Sequence, residues 1–453
     1  MKTYQDLMKA GPTETKRARF CMDAISEFMA SKEYRAARDG ESYYGKHNIT
    51  IEKYQKFLTT MSGTQVPDIF SSNYKIKTLF FRRLVTQQVQ YVLGNGMTLS
   101  DEKNKEKLGA DFDFKLQQAA KRAMAAGRAF GFWNYDHLEV FGYADTEDAP
   151  GFCPLYSEET GELEAGVRFW FRTVNDKTIT RATLYEADGY TDYIKKEAEK
   201  EPELLTQKRA YKTVTTKTNN GLIEEVAGEN YGRLPIVPLY ANDTRESELC
   251  GIRESIDAYD LIKSGLANDI DDADGFYWIL QNTGGMDDVD LARFVQRIRQ
   301  TRAAVVDGDQ GVQANAHTLD VPTEARTKML EILRSDIYED FQALDVKTLS
   351  AAQKTTQEIQ AAYQSQDNKC DDFEYFIIDF VQNILALAGV DDNPTFTRNR
   401  IVNQAEQTDM IIKAAQFLTE EAIIKHLPFL TPEEADEIIQ QRDAEGLAQF
   451  NGE

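Results

Sequence analysis

The stretch that decides the fold is residues 253–281, which reads RESIDAYDLIKSGLANDIDDADGFYWILQ. Apolar side chains recur in it every three or four residues, as they do along one face of an α-helix: Ile256, Tyr259, Ile262, Leu266, Ile270, Ala273 and Tyr277. The opposite face collects Glu254, Asp257, Asp260, Asn268, Asp271 and Asp272. The pattern predicts one helix about 45 Å long, with an apolar stripe and an acidic stripe.

A second long helix is predicted downstream at Thr323–Leu344, where Leu330, Leu333, Ile337, Phe341 and Leu344 fall in register. Between the two helices we expect a short helix at Asp290–Thr301 and strands at Ala303–Val306 and Thr318–Val321. This insert carries four arginines: Arg293, Arg297, Arg299 and Arg302. Two long helices around a small α/β insert are typical of a helical hairpin with a tip.

The flanking sequence predicts a mixed amino-terminal part and a helical carboxyl-terminal part. Helices are expected within residues 1–62, interrupted by a polar loop at Asp39–His47, and at Tyr74–Leu93 and Phe114–Phe130. From Gly131 to Tyr240 the period falls to two, which predicts strands, including a hairpin around Asn219-Asn220-Gly221. A break at Asp345–Ala352 precedes a very long helix from Gln353 to about Ala388 and a tail of short helices.

Composition indicates a folded, acidic protein. The chain has 453 residues, 42% of them hydrophobic, and 52 Lys and Arg against 75 Asp and Glu give a net charge of −23. No apolar run is long enough for a membrane helix, and we expect no membrane partner. The negative charge is the reverse of what gripping DNA phosphates requires. It favours either solubility alone or a surface past which DNA slides without sticking.

No motif in the sequence points to an active site. The four cysteines and four histidines are scattered, which favours free buried thiols over a disulfide framework or a zinc site. There is no GxxxxGK[ST] or GxSxG motif, and we expect no enzyme activity and no cofactor. The densest acidic cluster, Asp269–Asp274, spreads around a helix rather than converging. A carboxylate-dependent Mg²⁺ enzyme and a non-channel scaffold or adaptor stay open as alternatives.

The order of these segments resembles the portal protein family of long-tailed phages over nearly the whole chain. The resemblance is carried by these segments: Tyr74–Gly96, Gly232–Asp243, Ile256–Asp272, Val305–Asp309, Leu319–Pro322, Lys328–Asp345, Phe396–Glu406 and Leu427–Phe429. One departure is Ser350-Ala351-Ala352, where relatives often carry Ser-Gly.

The resemblance implies an α+β, mainly helical portal fold that assembles as a ring, usually of twelve subunits. It implies the following parts: wing, 1–245; first stem helix, 246–275; clip, 276–321; second stem helix, 322–344; tunnel loop, 345–352; long wing helix and crown, 353–453. The ring would form the channel at one capsid vertex through which viral DNA is packaged and ejected. The implied location is the virion, with the host cytoplasm during assembly.

The resemblance also implies partners and site residues. The partners would be further copies of the chain, double-stranded DNA, the large terminase subunit, a head-completion adaptor, and the major capsid and scaffolding proteins. The tunnel loop would touch DNA through Val346, Lys347, Thr348, Leu349, Ser350 and Ala351. The acidic stripe of Glu254, Asp257, Asp260, Asp271 and Asp272 would face the channel, and Arg293, Arg297, Arg299 and Arg302 would contact the docking partner.

Overall fold

The computed structural model describes residues 1–59, 63–68, 71–146, 149–217, 223–273, 277–280, 314–317, 323–349, 356–399, 411–413, 419–425, 435 and 438–442. The chain divides into two compact units, one of Met1–Asp345 with Gln364–Thr397 and one of Val346–Tyr363 with Arg398–Glu453. Helices and sheets both contribute, which confirms the predicted α+β class.

The helices, in chain order, are α1 Tyr4–Ala10, α2 Glu14–Ala30, α3 Lys32–Tyr44, α4 Ile49–Lys53, α5 Phe80–Leu93, α6 Glu102–Glu106, α7 Phe112–Ala126, α8 Arg253–Ala273, α9 Thr323–Phe341, α10 Val346–Leu349, α11 Thr356–Ala388 and α12 Glu420–Lys425. The strands are β1 Phe57–Thr59, β2 Gln65–Pro67, β3 Met97–Thr98, β4 Arg128–Asn134, β5 His137–Gly142, β6 Gly151–Tyr156, β7 Leu163–Val174, β8 Lys177–Glu186, β9 Gly189–Lys196, β10 Glu203–Arg209, β11 Lys212–Lys217, β12 Ile223–Glu229, β13 Ile236–Tyr240, β14 Tyr277–Leu280, β15 Ala314–His317 and β16 Thr395–Phe396.

Eight strands form the main sheet in the order β10-β9-β8-β7-β6-β5-β4-β13. All neighbours are antiparallel except β5 and β6. Helix α2 covers this sheet, and its Phe28 contacts Tyr143 and Phe169 edge to face, with ring centroids 4.9 and 6.0 Å apart. The predicted strand region Gly131–Tyr240 is therefore confirmed, as is the predicted hairpin, whose strands are β11 and β12.

Several predicted boundaries were wrong. Helix α3 continues through most of the predicted loop Asp39–His47. Helix α5 begins at Phe80, so Tyr74–Leu79 is not helical. Helix α8 ends at Ala273, and Tyr277 lies in strand β14, which pairs with β15. An apolar face of period 3.6 cannot show where a helix gives way to a short strand of equally apolar residues.

The two other long helices agree with prediction: α9 spans Thr323–Phe341 and α11 spans Thr356–Ala388. Cys21, Cys153 and Cys370 are buried free thiols as predicted, whereas Cys250 is exposed. In the part of the chain that the structure describes, no helix is both long and apolar enough to cross a membrane.

Gly40 explains why α3 was mistaken for a loop. Glycine is unfavourable inside a helix, yet here α3 packs against α7 at this residue. A Cβ at position 40 would lie 1.8 Å from the carbonyl oxygen of Ala125 and 2.5 Å from the hydroxyl of Ser247. The glycine therefore permits the close approach of two helices rather than ending one.

We expect Gly40→Ala to lower the free energy of unfolding by about 2 kcal/mol, because backbone must move to admit the methyl group. Gly265→Ala is the matched control, since Gly265 also lies inside a helix and its Cβ would meet only Arg326, at 4.0 Å. The control should stabilise the chain by about 0.5–1 kcal/mol. Urea denaturation of both variants measures the difference, and a stabilised Gly40→Ala would refute the packing argument.

Candidate functional site

The two helices on which the fold prediction was built, α8 and α9, pack against each other. Arg326 of α9 forms an ion pair with Asp269 of α8. The ring of Phe80 contacts Tyr259 of α8 and Tyr338 of α9 edge to face, with centroids 4.9 and 6.2 Å away. Each such contact contributes about 0.5–1.5 kcal/mol beyond its burial. The two helices are therefore held to each other and to α5.

A segment that belongs to no helix or sheet, Ser72–Thr78, runs along α8 and is bonded to it by side chains; we call it the strap. Four α8 side chains form the ladder that accepts these bonds: Asp260, Ser264, Asn268 and Asp271. The backbone N–H groups of Thr78, Ile76 and Tyr74 donate to Asp260 at 3.1 Å, Ser264 at 3.0 Å and Asn268 at 2.6 Å. The hydroxyl of Ser72 donates to Asp271.

The spacing of the ladder explains this register. Its members are four, four and three residues apart, and four residues of α-helix rise about 6 Å. Two residues of extended chain span about 6.6 Å. Every second strap residue therefore meets one ladder side chain per turn of α8, with the two segments running in opposite directions. The ladder side chains accept hydrogen bonds from the strap backbone, as the carbonyl groups of a neighbouring strand do in a sheet.

Asp260 is the most heavily bonded member of the ladder. It is 0% exposed and also accepts hydrogen bonds from the Thr78 hydroxyl at 2.7 Å and the Asn48 amide at 2.9 Å. Burial raises the pKa of Asp260 above its ordinary value of 3.8, and the hydrogen bonds from Thr78 and Asn48 partly oppose that rise. Because the folded pKa is the higher one, ionisation of Asp260 lowers stability as the pH rises from the unfolded pKa to the folded one.

The first turns of α8 are bonded to α3 and α4. Asp257 accepts hydrogen bonds from the Tyr43 hydroxyl at 2.5 Å and the Thr50 hydroxyl at 2.7 Å. Arg253 forms an ion pair with Asp39 at 2.6 Å. Burial, followed by the bond to Asp257, raises the pKa of Tyr43 to about 12. This end of the helix is therefore joined to α3 and α4 by its side chains.

The predicted acidic stripe is only partly available to face a channel. The prediction was wrong for Asp260, which is buried because strap N–H groups need an acceptor there. Asp257 is mostly covered by α3 and α4. Glu254 and Asp271 are exposed, and their facing a channel stays a prediction. The side chain of Asp272 lies outside the described part of the chain.

The predicted tunnel loop is described only in its first half. Val346–Leu349 form the helical turn α10 instead of a loop, since none of these four residues is Gly or Pro. Val346 and Lys347 are exposed. Ser350 and Ala351 lie outside the described residues, as do the predicted docking residues Arg293, Arg297, Arg299 and Arg302.

The acids of Asp269–Asp274 do not converge where they are described. Asp269 is paired with Arg326, Asp271 accepts a bond from Ser72, and Asp274 is not among the described residues. Across the described ranges, no group of three His, Cys, Asp or Glu side chains is placed to hold a metal ion. A Mg²⁺ site needs several converging oxygen ligands, so this arrangement does not favour a Mg²⁺ enzyme.

Sequence reasoning missed the strap, because it extended α5 back to Tyr74. A signal was present in α8 itself. Ser264 and Asn268 follow Asp260 at intervals of four residues, and all three lie on one face. Short polar side chains repeated at that interval are suited to bonding a neighbouring backbone, whereas longer charged side chains are commoner on a solvated face.

Three comparisons place the chain among known proteins. The model of the family described as "Phage portal protein, SPP1 Gp6-like" matches residues 31–446. The chain is 25% identical over 426 residues to the portal protein of Clostridium phage phiCD119, covering 87% of this chain and 90% of that one. It is 24% identical over 423 residues to the portal protein of Bacillus phage SPP1, covering 87% and 81%.

Solved structures give a weaker likeness. The neck of a native gene transfer agent particle matches with a TM-score of 0.37 and 9% identity, covering 78% of this chain and 90% of that one. The virion of a native gene transfer agent particle matches with a TM-score of 0.39 and 10% identity, covering 76% and 88%. Both TM-scores are below 0.5.

We expect each ladder side chain that accepts a strap N–H to protect that N–H from hydrogen exchange. Ser264→Ala should speed exchange at Ile76, and Asn268→Ala at Tyr74, each about tenfold, because a buried donor loses its acceptor. Ser335→Ala on α9 is the control, since Ser335 bonds only within its own helix, to Glu339. Residue-resolved exchange mass spectrometry distinguishes the two positions. Equal deprotection of the whole strap in both variants would contradict this one-to-one register.

Proposed function

Because the chain belongs to the SPP1 Gp6-like family of phage portal proteins, we propose that it forms the channel at one capsid vertex through which viral DNA is packaged and ejected. The observation that carries this proposal is the family match over residues 31–446. The chain acts as a structural protein of the virion, without a catalytic site. Twelve copies form the ring, and α8 with α9 forms the stem that surrounds the channel.

Exposed apolar side chains on the stem helices support side-by-side packing of copies. Leu261 and Ile270 of α8 are 40% and 52% exposed, and Met329 and Ile332 of α9 are 42% and 47% exposed. Leu261 and Ile270 are nine residues apart, about two and a half helical turns, so they lie on opposite sides of α8. A subunit of a ring has two neighbours, and each contact is heterologous.

The charge of the chain suits a conduit for DNA. Twelve copies carry a formal charge of −276 (12 × −23). Phosphates that pass carboxylates find few attachment points, so the duplex can slide. The exposed acids Glu254 and Asp271 belong to this wall, whereas Asp260 belongs to the core.

The remaining partners act at either end of the channel. The large terminase subunit docks on the clip first and the head-completion adaptor later, with Arg293, Arg297, Arg299 and Arg302 as contact residues. The major capsid and scaffolding proteins surround the wing. A non-channel scaffold made from the same chain would need none of these contacts and would not close into a ring.

We expect the purified chain to form a ring of about 620 kDa (12 × 51.5 kDa). Ile332→Asp should raise the concentration at half-assembly about tenfold, because it places a charge in an apolar contact. Tyr135→Asp is the control, since Tyr135 is an exposed apolar side chain in a β-turn. Native mass spectrometry measures the ring fraction. A monomer or dimer at micromolar concentration, unchanged by salt and pH, would instead support the scaffold.

We expect Lys347→Glu to leave rings intact but to shorten or destabilise the packaged DNA. Lys347 supplies one positive charge per subunit in a strongly acidic chain, and each contact with a phosphate is weak and screened by salt. Lys53→Glu, which reverses an exposed cation of α4, is the control. Genome length per particle is measured in a phage that carries each variant. Full-length packaged DNA in the Lys347→Glu phage would contradict a role for this segment in contacting DNA.

A further inference from the structure

The turn end of the β7–β8 hairpin projects beyond the core. Residues 171–178 are all exposed, whereas the other end of each strand is buried. The end is regular, because Val174 pairs with Lys177 across a two-residue turn whose φ values are 52° and 57°. Phe171 and Val174 are nevertheless 39% and 40% exposed. We call residues 171–178 the tip.

The tip carries two cations against one acid, Asp176, in a chain that is acidic overall, and the Glu197 carboxylate just after β9 accepts a hydrogen bond from the Thr178 N–H at 2.8 Å. Arg172 and Lys177 lie in the tip, and Arg181 and Lys195 lie beside it on β8 and β9. None of these four cations has an ion-pair partner among the described residues. A rigid projection with apolar side chains and unpaired cations is suited to an acidic, partly apolar partner surface.

A groove of about 640 Å³ lies at the other end of β7. Glu162, Glu164 and Asp379 line it, together with the half-buried apolar residues Leu163 and Pro238. In the described part of the chain, neither Glu162 nor Glu164 belongs to an ion pair. The groove thus offers acidic groups, which can pair with the cations of the tip, and apolar side chains, which can pack against those of the tip.

Two cations also line the groove, but each is held by groups of its own chain. Arg233 donates a hydrogen bond to the backbone carbonyl of Asn383 at 2.8 Å. Arg245 lies over the ring of Tyr240, 4.3 Å from its centroid. The carboxylates at Glu162 and Glu164 are therefore left to a partner from outside the subunit.

Tip and groove cannot meet within one subunit. They lie at opposite ends of β7, whose 12 residues span about 40 Å. The strand is paired along its length with β8, so it cannot fold back. A contact between two different surfaces of identical chains joins each copy to the next, which is the heterologous geometry that a closed ring requires.

We infer that the tip of one copy binds in the groove of the next copy. Arg172 and Lys177 face Glu162 and Glu164, and Phe171 and Val174 pack on Leu163 and Pro238. This inference rests on the ring of the proposed function and adds to it a second contact, distant in sequence from the stem. At this contact, chains that each have a net charge of −23 present side chains of opposite charge to one another.

A charge exchange tests the contact. The tip variant is Arg172→Glu with Lys177→Glu, the groove variant is Glu162→Lys with Glu164→Lys, and the third variant combines all four changes. The control for added negative charge is Lys16→Glu with Lys53→Glu, two exposed cations without an ion-pair partner among the described residues. The ring fraction is measured by native mass spectrometry across concentration, and circular dichroism checks that each chain is folded.

We expect the tip and groove variants each to raise the concentration at half-assembly about tenfold or more, and the combined variant to return it to within about threefold of the wild type. The control should lie close to the wild type. If tip and groove variants assemble like the control, or if the combined variant does not recover, the inference is overturned while the ring stands. If the wild type itself forms no ring, the proposed function fails.

A cross-link locates the contact independently of affinity. In a Cys250→Ser background, which removes the exposed native thiol, Val174→Cys is combined with Leu163→Cys in the groove. Oxidised rings should give a series of covalent multimers in denaturing, non-reducing electrophoresis. A chain with only one of the two introduced cysteines should stay monomeric or dimeric. Rings that form but yield no multimers from the double variant would place the tip elsewhere.

Discussion

The architecture depends on three side chains of α8 that satisfy the backbone of the strap. A segment of chain beside a helix has N–H groups that no sheet partner satisfies, and leaving each one buried without an acceptor costs about 1–3 kcal/mol. The ladder supplies the acceptors at Asp260, Ser264 and Asn268. Without it, the strap would need water, and α8 would lose one of the contacts that fix its rotation about its own axis.

The position of the proposed stem, α8 with α9, follows from this constraint. The strap leads directly into α5, whose first residue, Phe80, contacts both Tyr259 and Tyr338. At the other end of α8, bonds from Tyr43 and Thr50 to Asp257 join the helix to α3 and α4. A channel wall that must resist a moving duplex benefits from helices joined to the core at several points, because a single point would leave the helix free to rotate.

The sequence predicts those elements whose identity is set by periodicity alone. Helices α9 and α11 and the strands between Gly131 and Tyr240 have uninterrupted periods, and they were confirmed. The rest depended on partners distant in sequence. Gly40 is tolerated inside a helix because Ala125 approaches too closely for any side chain there, and Asp260 is buried because Thr78 donates to it. A polar stripe looks the same in a sequence whether its partner is water or a backbone 180 residues away.

The burial of Asp260 changes what the acidic composition means. Net charge counts every carboxylate equally, but only those exposed after folding can act on DNA or on another subunit. Asp260 serves the interior, Asp269 is paired with Arg326, and Glu254 and Asp271 are left exposed on α8. The surface is therefore less uniformly acidic than the composition suggests, and cations such as Arg172 stand out against it. In the assembly of like-charged subunits, such local exceptions offset part of the repulsion that the summed charge produces.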